Sequence, residues 1–189
     1  MKIGFSGFSA SGKTSAAHEL VANIKKRSVT CAFVSGAARS SRKLTSGDLS
    51  LDMHLEVIGR QLVKETSVSN GTEYVVCDRT MLDYLAYGEC RGLCESEHKE
   101  LFLSMKDFCK RWMRTYDVIF IVDGSFGNRD LDNARVANDV VEKDFMHSLN
   151  RMVDAFEIRD RTVQVTPADL SSEAWAWVQG SLDGFENAP

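Results

Sequence analysis

What this chain does not contain narrows the field before any motif is read. No apolar run exceeds five residues, the length of Val118 to Val122, whereas a helix spanning a bilayer needs about twenty. No membrane segment is therefore expected. A secretory leader is not expected either, because Met1-Lys2-Ile3-Gly4-Phe5 runs straight into a glycine loop instead of a long apolar segment with a cleavage site. The five cysteines, Cys31, Cys77, Cys90, Cys94 and Cys109, are odd in number and follow no regular spacing. Several lie in apolar runs, so the expectation is reduced thiols in a cytoplasmic protein, not a disulfide framework. Excess positive charge is absent as well: 23 Lys and Arg against 27 Asp and Glu leave a net charge of −4. A protein that coats duplex nucleic acid is not expected on that ground, although Lys25-Lys26-Arg27 and Arg39, Arg42 and Lys43 could still hold phosphates locally.

Neither an internal repeat nor a linker interrupts the 189 residues. They fit one domain, 1–182, followed by a flexible tail, 183–189; a second catalytic domain would not fit. Hydrophobic residues at 43% and charged residues at 26% describe an ordinary globular composition. Apolar spacing then alternates between two periods. Lys2 to Ser6 reads as a strand, and Thr14 to Arg27, with Ala17, Leu20, Val21 and Ile24 on one side, reads as a helix. Val29 to Ser35 has the β-branched content of a buried strand, and Gly36 to Ser50 reads as a mobile surface loop. A helix over Leu51 to Thr66 ends before Ser69-Asn70-Gly71. Tyr74 to Cys77 and Val118 to Val122 are short apolar runs stopped by Asp78 and Asp123, as expected of buried parallel strands. Helices are expected at Met81 to Cys90, Glu97 to Thr115, Asn138 to Phe156 and Ser171 to Gly180, with a strand at Thr162 to Val165. Strands alternating with helices imply an α/β doubly wound fold with a mostly parallel sheet.

Gly7-Phe8-Ser9-Ala10-Ser11-Gly12-Lys13-Thr14 has the spacing GxxxxGK[ST] between an apolar strand and an amphipathic helix. The glycines let backbone amides approach phosphates, and the helix N-terminus favours negative charge. Gly7, Ser9, Ala10, Ser11, Gly12, Lys13, Thr14 and Ser15 are the expected nucleotide contacts. Lys13 is expected to face solvent and reach the β- and γ-phosphates of ATP, and Thr14 to give its hydroxyl to Mg²⁺. An acidic residue at a neighbouring strand end must orient metal-bound water or the acceptor hydroxyl, and Asp78 is placed for that. Arg79 beside it could hold an acceptor phosphate or carboxylate. The competing reading has Asp78 capping the next helix and Arg79 paired with a surface acid. Asp123 could serve catalysis or only form a turn with Gly124. The polar, basic stretch from Gly124 to Arg135 reads as a lid whose Arg129 and Arg135 approach the transferred phosphoryl group, or else pair with Asp130, Asp132 or Asp139.

These landmarks resemble the nicotinamide-riboside-kinase-like P-loop family, which has small phage-encoded kinases and ATPases among its members and is related to thymidylate and deoxynucleoside kinases. The resemblance covers roughly Lys2 to Val165. It rests on the phosphate loop, Ala37-Ala38-Arg39, Val76-Cys77-Asp78-Arg79-Thr80 with Leu82-Asp83-Tyr84-Leu85-Ala86-Tyr87, and Asp123-Gly124 with Arg129 and Arg135. It implies a base or metal-water ligand at Asp78, an active-site cation at Arg79, and lid cations at Arg129 and Arg135. Relatives often carry an acid before Ala37-Ala38-Arg39, where this chain has Val34-Ser35-Gly36.

The expected activity is ATP- and Mg²⁺-dependent phosphoryl transfer to a nucleoside- or nucleotide-type acceptor, with Arg39, Arg42, Asp78 and Arg79 binding it. A hydroxymethylated pyrimidine within phage DNA, which would place the protein in a host cytoplasm, and a nucleotide-hydrolysing switch are the alternatives. A homodimer is admitted. Cys90, Cys94 and His98 share a face if their helix is continuous and could hold zinc, although Gly92 interrupts it and free cysteines usually pack as small apolar residues. His18 reads as a partly exposed side chain, and Trp175 and Trp177 read as packing residues.

Overall fold

The computed structural model describes residues 1–124 and 140–186, with side chains through 182. Five strands, β1 (Lys2–Gly7), β2 (Cys31–Val34), β3 (Tyr74–Asp78), β4 (Val118–Val122) and β5 (Thr162–Val165), form one sheet in the order β2-β3-β1-β4-β5. Every pairing is parallel. The helices are α1 (Lys13–Lys26), α2 (Arg42–Thr45), α3 (Leu51–Thr66), α4 (Met81–Cys90), α5 (Lys99–Met113), α6 (Glu142–Ala155) and α7 (Leu170–Glu186).

Because successive side chains of a strand point to opposite faces, the apolar runs feed two separate cores. Ile3, Phe5, Val76, Val118, Phe120 and Val122 pack under α1 and α7. Cys77, Ile119 and Ile121 face the second layer, built by α3 to α6. Phe5 and Phe120, paired in register, stack with ring centroids 5.5 Å apart. Gly4, the residue before Phe5, faces the other side of the sheet; a Cβ there would stand 2.6 Å from Thr80 Cγ2 and 2.8 Å from Tyr116 Cε1, so the site admits no side chain. At the N-terminal end of the sheet the buried Glu65 accepts hydrogen bonds from Gln61 Nε2 (2.9 Å), Trp112 Nε1 (2.8 Å) and Tyr116 OH (2.7 Å), and pairs with Lys2. Glu89 ties α4 to α5 through Lys106 and to α6 through Ser148 and Arg151.

The structure departs from the periodicity reading in four places. Gly36 to Ser50 is not a featureless loop: it holds a single 3-10 turn at Ala38–Ser40 and α2, capped by the buried Ser41, whose hydroxyl accepts from Leu44 N (3.2 Å) and donates to Glu56 (2.8 Å). β2 is an edge strand, half-buried at Cys31, Ala32 and Phe33, not a fully buried one. α6 begins at Glu142 instead of Asn138, which itself lies outside the described residues. α7 runs on past Gly180 to Glu186.

Candidate functional site

The phosphate loop leaves β1 at the centre of the sheet, and its backbone takes conformations that most side chains resist. Gly7 has φ 147°, where a Cβ would meet the Val122 carbonyl at 2.6 Å, and Gly12 has φ 81°. Ala10 adopts φ 63°, the same left-handed region. Gly12 then opens α1 with no side-chain cap and no acid in its first turn, so the free amides and the helix dipole present partial positive charge. Phe8, directly after Gly7, is fully buried against Phe145 of α6 (centroids 5.5 Å) and Tyr87 of α4 (6.2 Å). Nothing in the spacing GxxxxGK[ST] requires an aromatic there, and its anchoring role emerges only in three dimensions.

Lys13 corrects the expectation of a solvent-facing side chain. It is only 4% exposed, and its Nζ donates to the Phe8 carbonyl and to Ser11 Oγ, curling inside the loop. The reason is local: the loop wraps around the ammonium and supplies carbonyl and hydroxyl acceptors two and five residues away. Ser11 Oγ also donates to Phe8 O at 2.9 Å.

Thr14 and Asp78 meet as the sequence suggests. Thr14 Oγ1, in the first turn of α1, donates at 2.7 Å to Oδ2 of Asp78, the last residue of β3, and Asp78 is 7% exposed. Two oxygen donors side by side at a helix N-terminus form a set that suits Mg²⁺, a hard cation with few protein ligands. The helix-capping alternative for Asp78 does not hold, since Thr80 caps α4 and Asp83 completes the capping box. Arg79, at φ 80°, does pair with an acid, but a buried one: its Nη1 lies 3.1 Å from Asp83 Oδ1. Burial disfavours the charged guanidinium, but Asp83 first, then Tyr87, Tyr84 and Asp78, together outweigh this, so the Arg79 pKa is raised.

Asp83 is the residue that motif reasoning passed over. Its Oδ1 also accepts from Gly7 N at 3.1 Å and its Oδ2 from Thr80 N at 3.0 Å, so one carboxylate joins the first glycine of the loop to Arg79 and to the start of α4. The Thr-x-x-Asp spacing signals the cap; the reach of 76 residues back to Gly7 has no local signature. Ser9 Oγ adds a bond to Tyr87 OH at 3.0 Å. Gln61, also unforeseen, accepts through Oε1 from Ala37 N and Tyr84 OH, both at 3.2 Å.

A cleft of about 780 Å³ opens over this arrangement. Ala10 to Ala16 line it, with Pro167, Leu170 and Ser171, and with Ser35, Gly36, Ala38, Arg39, Ser40, Lys64, Asp78 and Arg79 beside the C-terminal ends of β2 and β3. His18 and Phe33 line it too, with ring centroids 4.2 Å apart. Of the three expected cations in the segment after β2, only Arg39 lines the cleft. Arg42 is exposed outside it, because the turn at Ser41 directs the short α2 away, and Lys43 pairs with Asp52 at 3.2 Å. Asp123 is exposed and outside the cleft; its backbone N–H donates to the Val165 carbonyl. Arg129 and Arg135, with most of the expected lid, lie outside the described residues. Among the described residues no three His, Cys, Asp or Glu side chains gather to hold a metal, so the Cys90, Cys94 and His98 grouping does not form. Gly92, at φ 75°, turns the chain between Cys90 and Cys94.

No family model and no curated protein sequence matches the chain. Solved structures do. A NadR protein in complex with NAD and AMP-PNP superposes with TM-score 0.65 at 16% identity over 93% of this chain, and another in complex with NR with TM-score 0.67 at 16% identity over 92%. The chain spans about half the length of those proteins, 49% and 48%. Deoxyadenosine kinase from M. mycoides with bound dATP superposes with TM-score 0.61 at 14% identity, over 97% of this chain and 100% of the kinase. The chain thus shares its α/β fold, a parallel sheet between helices with a phosphate loop after its first strand, with those NadR proteins and with deoxyadenosine kinase. No described helix is long and apolar enough to cross a membrane.

Proposed function

We propose that the protein transfers the γ-phosphoryl group of ATP to a nucleoside- or nucleotide-type acceptor. The observation that carries this reading is the contact between Thr14 Oγ1 and Asp78 Oδ2, 2.7 Å, at the floor of a cleft that also holds the phosphate loop. The kinds of ligand in the similar structures, NAD with AMP-PNP, NR and dATP, support a nucleotide in that cleft.

In this reading the amides from Ala10 to Ser15 cradle the donor phosphates, and the Lys13 ammonium exchanges the Phe8 carbonyl and Ser11 for phosphate oxygens. Mg²⁺, held by Thr14 and Asp78, would neutralise negative charge on the β- and γ-phosphate oxygens. Arg79, clamped by Asp83, keeps a permanent cation beside the acceptor. Arg39 borders the same end of the cleft, and Arg129 and Arg135 serve as lid cations. Of the two other readings, neither a DNA acceptor nor a switch is favoured by a specific contact, since Arg42 and Lys43 do not converge on the cleft.

The test is turnover of radiolabelled ATP with nucleosides, nucleotides and hydroxymethylated DNA, in the wild type and in Lys13→Ala. Label should pass to an acceptor, and Lys13→Ala should abolish it while circular dichroism shows a retained fold. Unchanged turnover in the variant refutes the phosphate-loop assignment.

A further inference from the structure

Charge around the cleft is one-sided. Lys13, Arg39, Lys64 and Arg79 line it against a single carboxylate, Asp78. Lys13 lies within the phosphate loop and Arg79 is matched by Asp83, so neither needs a further anion to account for it. Lys64 is different. It sits in the last turn of α3, half-buried, and its Nζ donates to Ser35 O at 3.1 Å and to Ser35 Oγ at 3.0 Å. Both partners are neutral, and among the described residues no carboxylate forms an ion pair with it. Burial and the nearby Arg60 lower its pKa while Asp78 opposes them, so Lys64 lies within electrostatic reach of the one carboxylate that lines the cleft.

The seat of Lys64 is fixed against Asp78 by close packing. Ser35 precedes Gly36, where a Cβ would stand 2.9 Å from the Asp78 carbonyl and 3.4 Å from Arg79 Cδ. Ser35, itself exposed, is thereby kept beside the end of β3, and it holds the ammonium at that end of the cleft. A partly desolvated ammonium with only neutral acceptors has a strong preference for an anion. A neutral nucleoside has none to offer, and a phosphate monoester has.

Resting on the phosphotransferase reading, we infer that Lys64 and Ser35 form the seat for an acceptor phosphate, so that the acceptor is a nucleoside 5′-monophosphate and not a neutral nucleoside. In the transfer step an ionised oxygen of the acceptor phosphate attacks Pγ. The new O–Pγ bond forms as the bond from Pγ to the β,γ-bridging oxygen breaks, and ADP leaves with that electron pair. No proton has to be removed from the acceptor. Asp78 is then free to keep the role its contact with Thr14 suggests, on the metal side.

The test pairs each common nucleoside with its 5′-monophosphate as acceptor, at saturating MgATP, in the wild type, Lys64→Gln and Lys64→Arg. The wild type should favour a monophosphate over its nucleoside by at least ~10-fold in kcat/KM, the scale of one charge-assisted hydrogen bond. Lys64→Gln should raise KM for that monophosphate about tenfold or more with kcat little changed, and Lys64→Arg should recover most of the loss. A preference for the nucleoside, or a KM unmoved by Lys64→Gln, overturns the inference and leaves the kinase reading standing. Loss of thermal stability in Lys64→Gln with equal effects on both acceptor classes also overturns it, since Lys64 would then only fasten α3 to β2. Label transferred to no acceptor by the wild type defeats the kinase reading itself, and the acceptor seat with it.

Discussion

Replacing Asp83 with Asn keeps the shape of a side chain that holds three parts of the site and removes its charge. The carboxylate is fully buried and accepts from Gly7 N, Thr80 N and the Arg79 guanidinium at 3.0 to 3.1 Å. An amide has one oxygen to offer, so at least one of those donors must face an NH₂ group. The larger loss is electrostatic, because the Arg79 side chain, only 21% exposed, is left charged and unmatched. Breaking a buried pair from one side costs about 3 to 5 kcal/mol. For a domain of this length each kcal/mol lowers Tm by about 2 to 4 °C, so a fall of roughly 6 to 20 °C is expected. Urea unfolding at 25 °C gives the free energy directly, and a second variant identifies its source. Adding Arg79→Met to Asp83→Asn removes the stranded charge, so the double variant should be more stable than Asp83→Asn alone. A cost below about 1 kcal/mol, the level of an exposed ion pair, or a double variant no better than the single, would refute the clamp.

Asp78→Asn should weaken Mg²⁺-dependent ATP binding, read by calorimetric titration, and lower turnover with it, as a metal-holding carboxylate requires; lost turnover with MgATP affinity fully retained would argue for a base instead. His54 is buried, with Nδ1 3.0 Å from the Tyr84 carbonyl oxygen, and burial followed by the nearby Arg91 drives its pKa down to about 4. It stays neutral in the folded chain and protonates on unfolding, so its contribution is complete above pH 6.5 and falls by up to about 3 kcal/mol on the way to pH 4. His54→Asn should flatten that part of the pH–stability curve, and an unchanged slope contradicts the assignment. Gly4→Ala should cost about 1 to 3 kcal/mol by overpacking against Thr80 and Tyr116, read as a lower urea midpoint at constant m-value.

Much of the fold is legible along the chain because local chemistry and tertiary outcome coincide. Val118 to Val122, Thr162 to Val165 and the helix from Met81 to Cys90 fall on the boundaries that apolar runs and their polar stops suggest. Thr14 and Asp78 were also within reach, since a parallel sheet places the C-terminal ends of neighbouring strands together. Asp83, Lys64 and Gln61 were not. Each acts through a backbone atom brought close by a crossover, Gly7 N, Ser35 O and Ala37 N, and no periodicity encodes such a partner. The segment after β2 misled for a related reason: serine, glycine and basic residues look solvated until Ser41 is seen buried as a helix cap.

The all-parallel order has a kinetic consequence. β1 is the first strand in the chain and the middle one in the sheet, so it can pair with nothing nearby. Its partners, in the registers Lys2 with Val75 and Ile3 with Val118, lie far along the sequence. Loop closure grows only with the logarithm of length, and the two closures differ by about 0.4 kcal/mol. Chain entropy therefore barely ranks them, and side-chain packing on β3 and β4 decides which neighbour joins first. Until one does, Ile3 and Phe5 remain uncovered on the strand that carries the phosphate loop, so folding of this protein should be slow for its size and exposed to aggregation at its N-terminal strand.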